Sequence, residues 1–156
     1  ASSGQTDSGV SARLFGTFLS WLNDHESDVF VVATCNDISK LPPEFSRAER
    51  FDGVFFVDLP NEPVRAGIFR IHLTKHRIAF DDHALERLVS ASGGYSGAEI
   101  EAAIVGARYE AHGAKKAADV AMVGGELART QPLSVTRAEA IDALRQWAAQ
   151  RTVSAD

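Results

Sequence analysis

With 156 residues, 45% of them hydrophobic and 24% charged, this chain is long enough for one domain or two small ones and too apolar to remain disordered. Its net charge of −5, with acidic and basic residues interspersed, argues against the broad basic face that nucleic-acid binding uses. Cys35 is the only cysteine, which excludes an internal disulfide and a cysteine zinc cluster and points to a reducing, cytoplasmic setting.

The first nine residues, ASSGQTDSG, lack the basic and apolar regions of a signal peptide and read as a flexible loop. Residues 10–23 place Leu14, Phe15, Phe18, Leu19 and Leu22 on one helical stripe. Val29 to Cys35, VFVVATC, is an unbroken apolar run rich in β-branched residues, which suits a strand buried on both faces, with Cys35 a small buried hydrophobe. Asn36 stands at its end. Leu41-Pro42-Pro43 marks a turn with room for a short helix around Glu44 to Arg47, and Val54 to Val57 repeats the strand character. A polar residue at a strand's C-terminal edge and two arginines at a surface turn, Arg47 and Arg50, are pieces that a phosphate-handling site uses. No GxxxxGK[ST] loop occurs in the 156 residues. No apolar run approaches the roughly 20 residues that span a bilayer, so no membrane is expected.

After Pro60 the pattern becomes helical. Asn61 can cap a helix running to about His76, with Val64, Ile68 and Ile71 inward. His72 and His76 have the i, i+4 spacing that can hold a metal, but the sequence offers no evident third ligand and no metal site is expected. Asp81 or Asp82 can cap a helix with Leu85, Leu88 and Val89, which Gly93-Gly94 ends. Ser96-Gly97-Ala98-Glu99 has capping-box spacing and opens a helix with Ile100, Ile104, Ala107 and Ala111 inward. The stretch from Lys115 to Thr130 has weak periodicity. Thr136 to Glu139 has the same box spacing ahead of Ile141, Leu144 and Ala148.

These residues resemble the C-terminal portion of an AAA-type ATPase module, over about Val10 to Trp147. The strand ending in ATCND is similar to the sensor 1 strand, with Asn36 at the sensor position. LPPEFSRAERFD resembles the second region of homology, with Arg47 and Arg50 at the arginine-finger positions. Ile71-His72-Leu-Thr-Lys75 and Gly94 to Glu99 resemble the first lid helix and the sensor 2 region. The run from Gly9 to Trp21 places the chain nearest the bacterial and plastid-encoded soluble AAA ATPases.

The resemblance implies an α/β fold: the C-terminal part of a P-loop AAA nucleotidase core over residues 1–60, with parallel-sheet strands that are incomplete, and an α-helical lid domain over 61–156. It implies ATP and Mg²⁺ as cofactors, with the metal ligands outside this chain. Asn36 would orient the attacking water, and Arg47 and Arg50 would reach a neighbouring subunit's nucleotide. His72 and the backbone at Gly97 and Ala98 would meet the adenosine, and Arg13 would lie near a subunit interface. Ala98 stands where some relatives carry a sensor 2 arginine, so no cation is supplied there. The partners implied are further copies in a hexameric ring and a protein substrate, with no nucleic acid. Walker A and Walker B residues are missing from the sequence, so the chain alone is expected to be inactive and its two strands to lack their shared neighbour. Beside these stand plainer structural readings: Asn36 as a turn former, the arginines as a solvated pair, and Ser96 to Glu99 as an ordinary helix start. The alternative function is a non-catalytic helical protein-interaction module.

Overall fold

A computed structural model describes residues 4–26, 28–38, 41 and 51–155. The chain divides into two compact units, Ala1–Phe56 with Arg151–Val153, and Val57–Gln150 with Ser154–Asp156.

The first unit is dominated by helix α1, Gly4–Asp24. It begins six residues before the segment 10–23 that carries the apolar stripe and takes in most of the segment expected to be a loop. Propagating an established helix fixes one residue per added bond. At the other end Phe18 stacks on Trp21 with centroids 6.0 Å apart, and Trp21 lies 4.4 Å from the His25 ring.

Val29 to Cys35 is the largest departure from expectation. It forms no strand; Phe30 is 92% and Val32 74% exposed, and Cys35 is exposed rather than buried. A strand obtains its backbone hydrogen bonds from a neighbour, and none pairs with this segment among the described residues. Of Val54 to Val57 only Phe55–Phe56 is a strand, β1. Its partner, unforeseen from the sequence, comes from the chain's end. The strand Val153–Ser154, numbered β2 although it follows all the helices, pairs with β1, and the Val153 amide donates to the Val54 carbonyl at 3.0 Å. The short helix expected around Glu44 lies outside the described residues.

The second unit is all helical: α2 Glu62–Lys75, α3 Asp82–Ala91, α4 Gly97–Gly113, α5 Val120–Arg129, α6 Leu133–Thr136 and α7 Ala138–Ala148. Each of the first four starts at a side-chain cap. Asn61 accepts from Val64 N, Asp81 from Ala84 N, Ser96 from Glu99 N and Asp119 from Met122 N. Such caps satisfy amides that an isolated helix start leaves bare. Between α3 and α4, Gly94 adopts φ +79°, and a Cβ there would stand 2.1 Å from Ser134 Oγ, so both the conformation and the space require glycine.

The core joins Phe69 and Leu73 of α2, Leu85 and Leu88 of α3, Ile100 and Ile104 of α4, and Val123 and Leu127 of α5. On α4 the buried set includes all four residues expected inward, Ile100, Ile104, Ala107 and Ala111. On α2 the expected face is turned by one residue. Arg65, Phe69 and Leu73 are buried, while Val64 and Ile71 are exposed and Ile68 is half-buried. Phe69 supplies the largest apolar area on this helix, and Arg65 can share its face because every bond it makes there is satisfied. Its Nη1 donates to Pro60 O at 2.9 Å, its Nη2 to Val89 O at 3.2 Å and its Nε to Ser92 Oγ at 3.2 Å. Val89 lies in the last turn of α3, where the helix dipole favours a cation.

Two further expectations are corrected. The weakly periodic stretch from Lys115 to Thr130 contains α5, which buries Val123 and Leu127. The second capping box does not form: Thr136 ends α6 with its hydroxyl donating to Pro132 O at 3.4 Å, and α7 begins after Arg137 with no side-chain cap.

Candidate functional site

The start of α4 is built by a reciprocal cap. Ser96 N donates to Glu99 Oε2 at 2.7 Å and Glu99 N donates to Ser96 Oγ at 3.3 Å. This satisfies two helix-start amides and leaves those of Gly97 and Ala98 without an acceptor among the described residues. Ala98 is exposed. A Cβ on Gly97 would lie 3.4 Å from Ile68 Cδ1, so α4 passes α2 at contact distance here without demanding glycine. The Glu99 carboxylate beside the free amides disfavours a second anion and suits neutral acceptors such as ring nitrogens and hydroxyls.

One turn further along both helices, His72 of α2 meets Glu101 of α4. His72 Nδ1 lies 3.3 Å from Glu101 Oε1, without the alignment of a hydrogen bond, and Lys75 Nζ donates to the same oxygen at 3.0 Å. That bond and the Lys75 charge hold the Glu101 carboxyl below its ordinary range. His76 caps α2, its N–H donating to His72 O at 2.9 Å, while Arg108 of α4 donates to its Nδ1 at 2.9 Å. Desolvation, then the charges of Arg108, Lys75 and His72, lower the His76 pKa. His72 Nδ1 and His76 Nε2 are buried and have no hydrogen-bond partner among the described residues.

The sequence-predicted residues thus fall into two groups. His72, Gly97 and Ala98 lie on the adjoining faces of α2 and α4 in the second unit. Asn36 is exposed in a bend after the extended segment, and Arg13 is exposed on α1, both in the first unit. Arg47 and Arg50 lie outside the described residues. Sequence reasoning missed Glu101, whose place beside His72 depends on the packing of α4 on α2. It also missed Arg65, because an inward stripe read from apolar residues passes over an arginine at the same spacing. A groove between α2 and α3, lined by Glu62, Arg70, Asp82 and Glu86 among others, holds none of the predicted residues.

Comparison with known proteins agrees with this architecture. Residues 1–59 match the family described as "ATPase family associated with various cellular activities (AAA)". The chain is 42% identical over 148 residues to the "Uncharacterized AAA domain-containing protein ycf46" of Pyropia yezoensis, covering 92% of this chain and 30% of that protein. The crystal structure of the FIGL-1 AAA domain superposes with a TM-score of 0.69 and 22% identity, covering 87% of this chain and 50% of that one. The same domain in complex with ADP superposes with a TM-score of 0.61 and 21% identity, covering 74% and 42%. At such identity the structural likeness speaks to the fold, which is that of AAA domains. The chain spans about a third of the length of the curated relative it matches. Residues 1–59 thus match the AAA family, and nearly the whole chain is similar to part of the plastid-encoded AAA proteins.

Proposed function

We propose that this chain supplies the C-terminal part of the ATPase core, residues 1–60, and the nucleotide-covering helical lid, residues 61–156, of an ATP-hydrolysing AAA module. The observation that carries the reading is the start of α4, where Gly97 N and Ala98 N have no acceptor among the described residues, one turn from His72. Their neutral-acceptor preference fits adenine and ribose, and the complex of the FIGL-1 AAA domain is with an adenine nucleotide, ADP.

In this reading the Gly97 and Ala98 backbone and the His72 ring hold the adenosine. Asn36 orients the attacking water, and Arg47 and Arg50 reach the phosphates bound by the next subunit of a hexameric ring. Fixed guanidinium forks of this kind contribute about 10³- to 10⁵-fold in rate where they act as fingers. Mg²⁺ neutralises charge on the phosphates when bound, and its ligands are not among these 156 residues. Without a Walker A loop the chain by itself does not turn over ATP. The hydrolysis drives remodelling of a protein partner in the cytoplasm. Among the described residues no helix is long and apolar enough to cross a membrane.

The test is ATP hydrolysis by the full-length protein. Arg47→Ala with Arg50→Ala is expected to remove turnover by about 10³-fold while nucleotide binding persists. Unchanged turnover contradicts the finger assignment. Full-length protein that binds no adenine nucleotide sinks the whole reading and favours the helical interaction module, for which exposed Val64, Ile71 and Tyr109 provide apolar surface.

A further inference from the structure

We propose that His72, His76 and Glu101 form a binding site for a divalent transition-metal ion, Zn²⁺ above the others, that clamps α2 to α4. The sequence supplies two histidines one helical turn apart, and the fold adds a carboxylate from the neighbouring helix. One ligand atom from each residue lies within 4.8 Å of the others. Zinc bonds of about 2.0–2.2 Å place tetrahedral ligand atoms roughly 3.3 Å apart. His72 Nδ1 and Glu101 Oε1 already stand at 3.3 Å, so closing the site asks for side-chain rotation of His76 and Glu101 and release of the two cations that now hold them. The two imidazole atoms are also the only buried side-chain nitrogens or oxygens without a hydrogen bond among the described residues. Buried polar atoms in native proteins are satisfied as a rule, and a bound cation satisfies both at once. Two imidazoles and one carboxylate, with a fourth position open to water, form a donor set suited to zinc and too rich in nitrogen for Mg²⁺ or Ca²⁺.

Two side chains now stand against the ion, and both can leave. Lys75 holds Glu101 Oε1, with 59% of its side chain exposed. Arg108 donates to His76 Nδ1, which keeps the single proton of the neutral ring on Nε2. Ligation through Nε2 moves that proton to Nδ1, so Arg108, itself exposed, must swing into solvent. No net proton is lost. The site stands whether or not His72 also meets a nucleotide.

The experiment is a calorimetric titration of the tag-free, chelator-treated chain with ZnCl₂, paired with thermal unfolding. One Zn²⁺ per chain and a raised Tm are expected, since an ion that binds only the folded state stabilises it. His76→Gln and Glu101→Gln are each expected to weaken binding by at least about 10- to 100-fold. Glu101 is a surface residue, so its variant reports on the metal without endangering the fold. Arg108→Ala is expected to tighten binding about fivefold, the equivalent of one net hydrogen bond that no longer has to be broken. Absence of zinc binding overturns the proposal. Binding that survives both His76→Gln and Glu101→Gln also overturns it, because His25, His83 or His112 then holds the ion.

Discussion

The two units of this chain carry apolar segments of similar appearance and opposite fate. In the second unit Ile100 and Ile104 are fully buried, whereas Phe30 and Val32 of the first unit stand in solvent. Hydrophobicity does not account for it, since the exposed segment, VFVVATC, is the more apolar of the two and α4 is rich in alanine. What differs is where each finds its hydrogen bonds. A helix closes its own backbone bonds and needs neighbours only for its side chains, while a strand needs a neighbour for both. The helical unit contains its neighbours, α2 to α5, and the segment from Val29 to Cys35 has none among the described residues. The exposed segment lies within the residues that match the AAA family.

The largest predicted effect probes this contrast directly. Ile104→Ala removes a side chain with no exposure and is expected to cost about 2–5 kcal/mol in urea unfolding of the chain, whereas Phe30→Ala is expected to stay within about 0.5 kcal/mol. Similar costs at both positions would break the contrast. Next comes Arg65→Ala. Losing its bonds to Ser92 Oγ, Pro60 O and Val89 O is expected to cost about 1.5–3 kcal/mol, and the loss of a solvated surface arginine such as Arg137 almost nothing. Ser96→Ala removes the cap of α4 and is expected to cost about 1 kcal/mol by the same measurement.

The smallest effect sharpens the account of what fastens the second unit's ends. Arg145 of α7 forks onto Asp58, with Nε to Oδ2 at 2.8 Å and Nη2 to Oδ1 at 2.9 Å. Burial alone raises the Asp58 pKa, but the Arg145 hydrogen bonds, the Leu59 amide and the Arg145 charge outweigh it and set it below 3.8. The folded state therefore holds this carboxyl's proton more weakly than the unfolded state does. The contribution is complete above the unfolded pKa and is lost as pH falls through the lowered folded value. In Arg145→Ala, NMR titration should find the Asp58 pKa raised, and the acid limb of stability should shrink. An unmoved Asp58 pKa would show that Arg145 does not hold it.

Much of the helical unit was legible because caps and stripes are local signals. Asn61, Asp81 and Ser96 each announce a helix start within four residues, and the four inward residues of α4 repeat at intervals of three and four. Signals that depend on partners were not legible. The pairing of Phe55–Phe56 with Val153–Ser154 spans nearly 100 residues of sequence, and no local pattern encodes it. Helix α5 was obscured by Gly124 and Gly125, whose poor helix propensity is overridden by the burial of Val123 and Leu127 against α4. At the candidate site the sequence supplied His72, Gly97 and Ala98 through family resemblance. Glu101 joins the site only through the packing of α4 along α2, and Arg47 and Arg50 lie outside the described residues.

Native-state hydrogen exchange on the chain, read amide by amide, tests the central contrast most directly. The account predicts that amides of Phe69, Leu73, Ile104 and Val123 exchange only through global opening, and that those from Phe30 to Cys35 exchange at nearly the rate of an unfolded chain. Protection of the Phe30 to Cys35 amides comparable to that of Ile104 would contradict it, because that segment would then possess a strand partner that it lacks among the described residues.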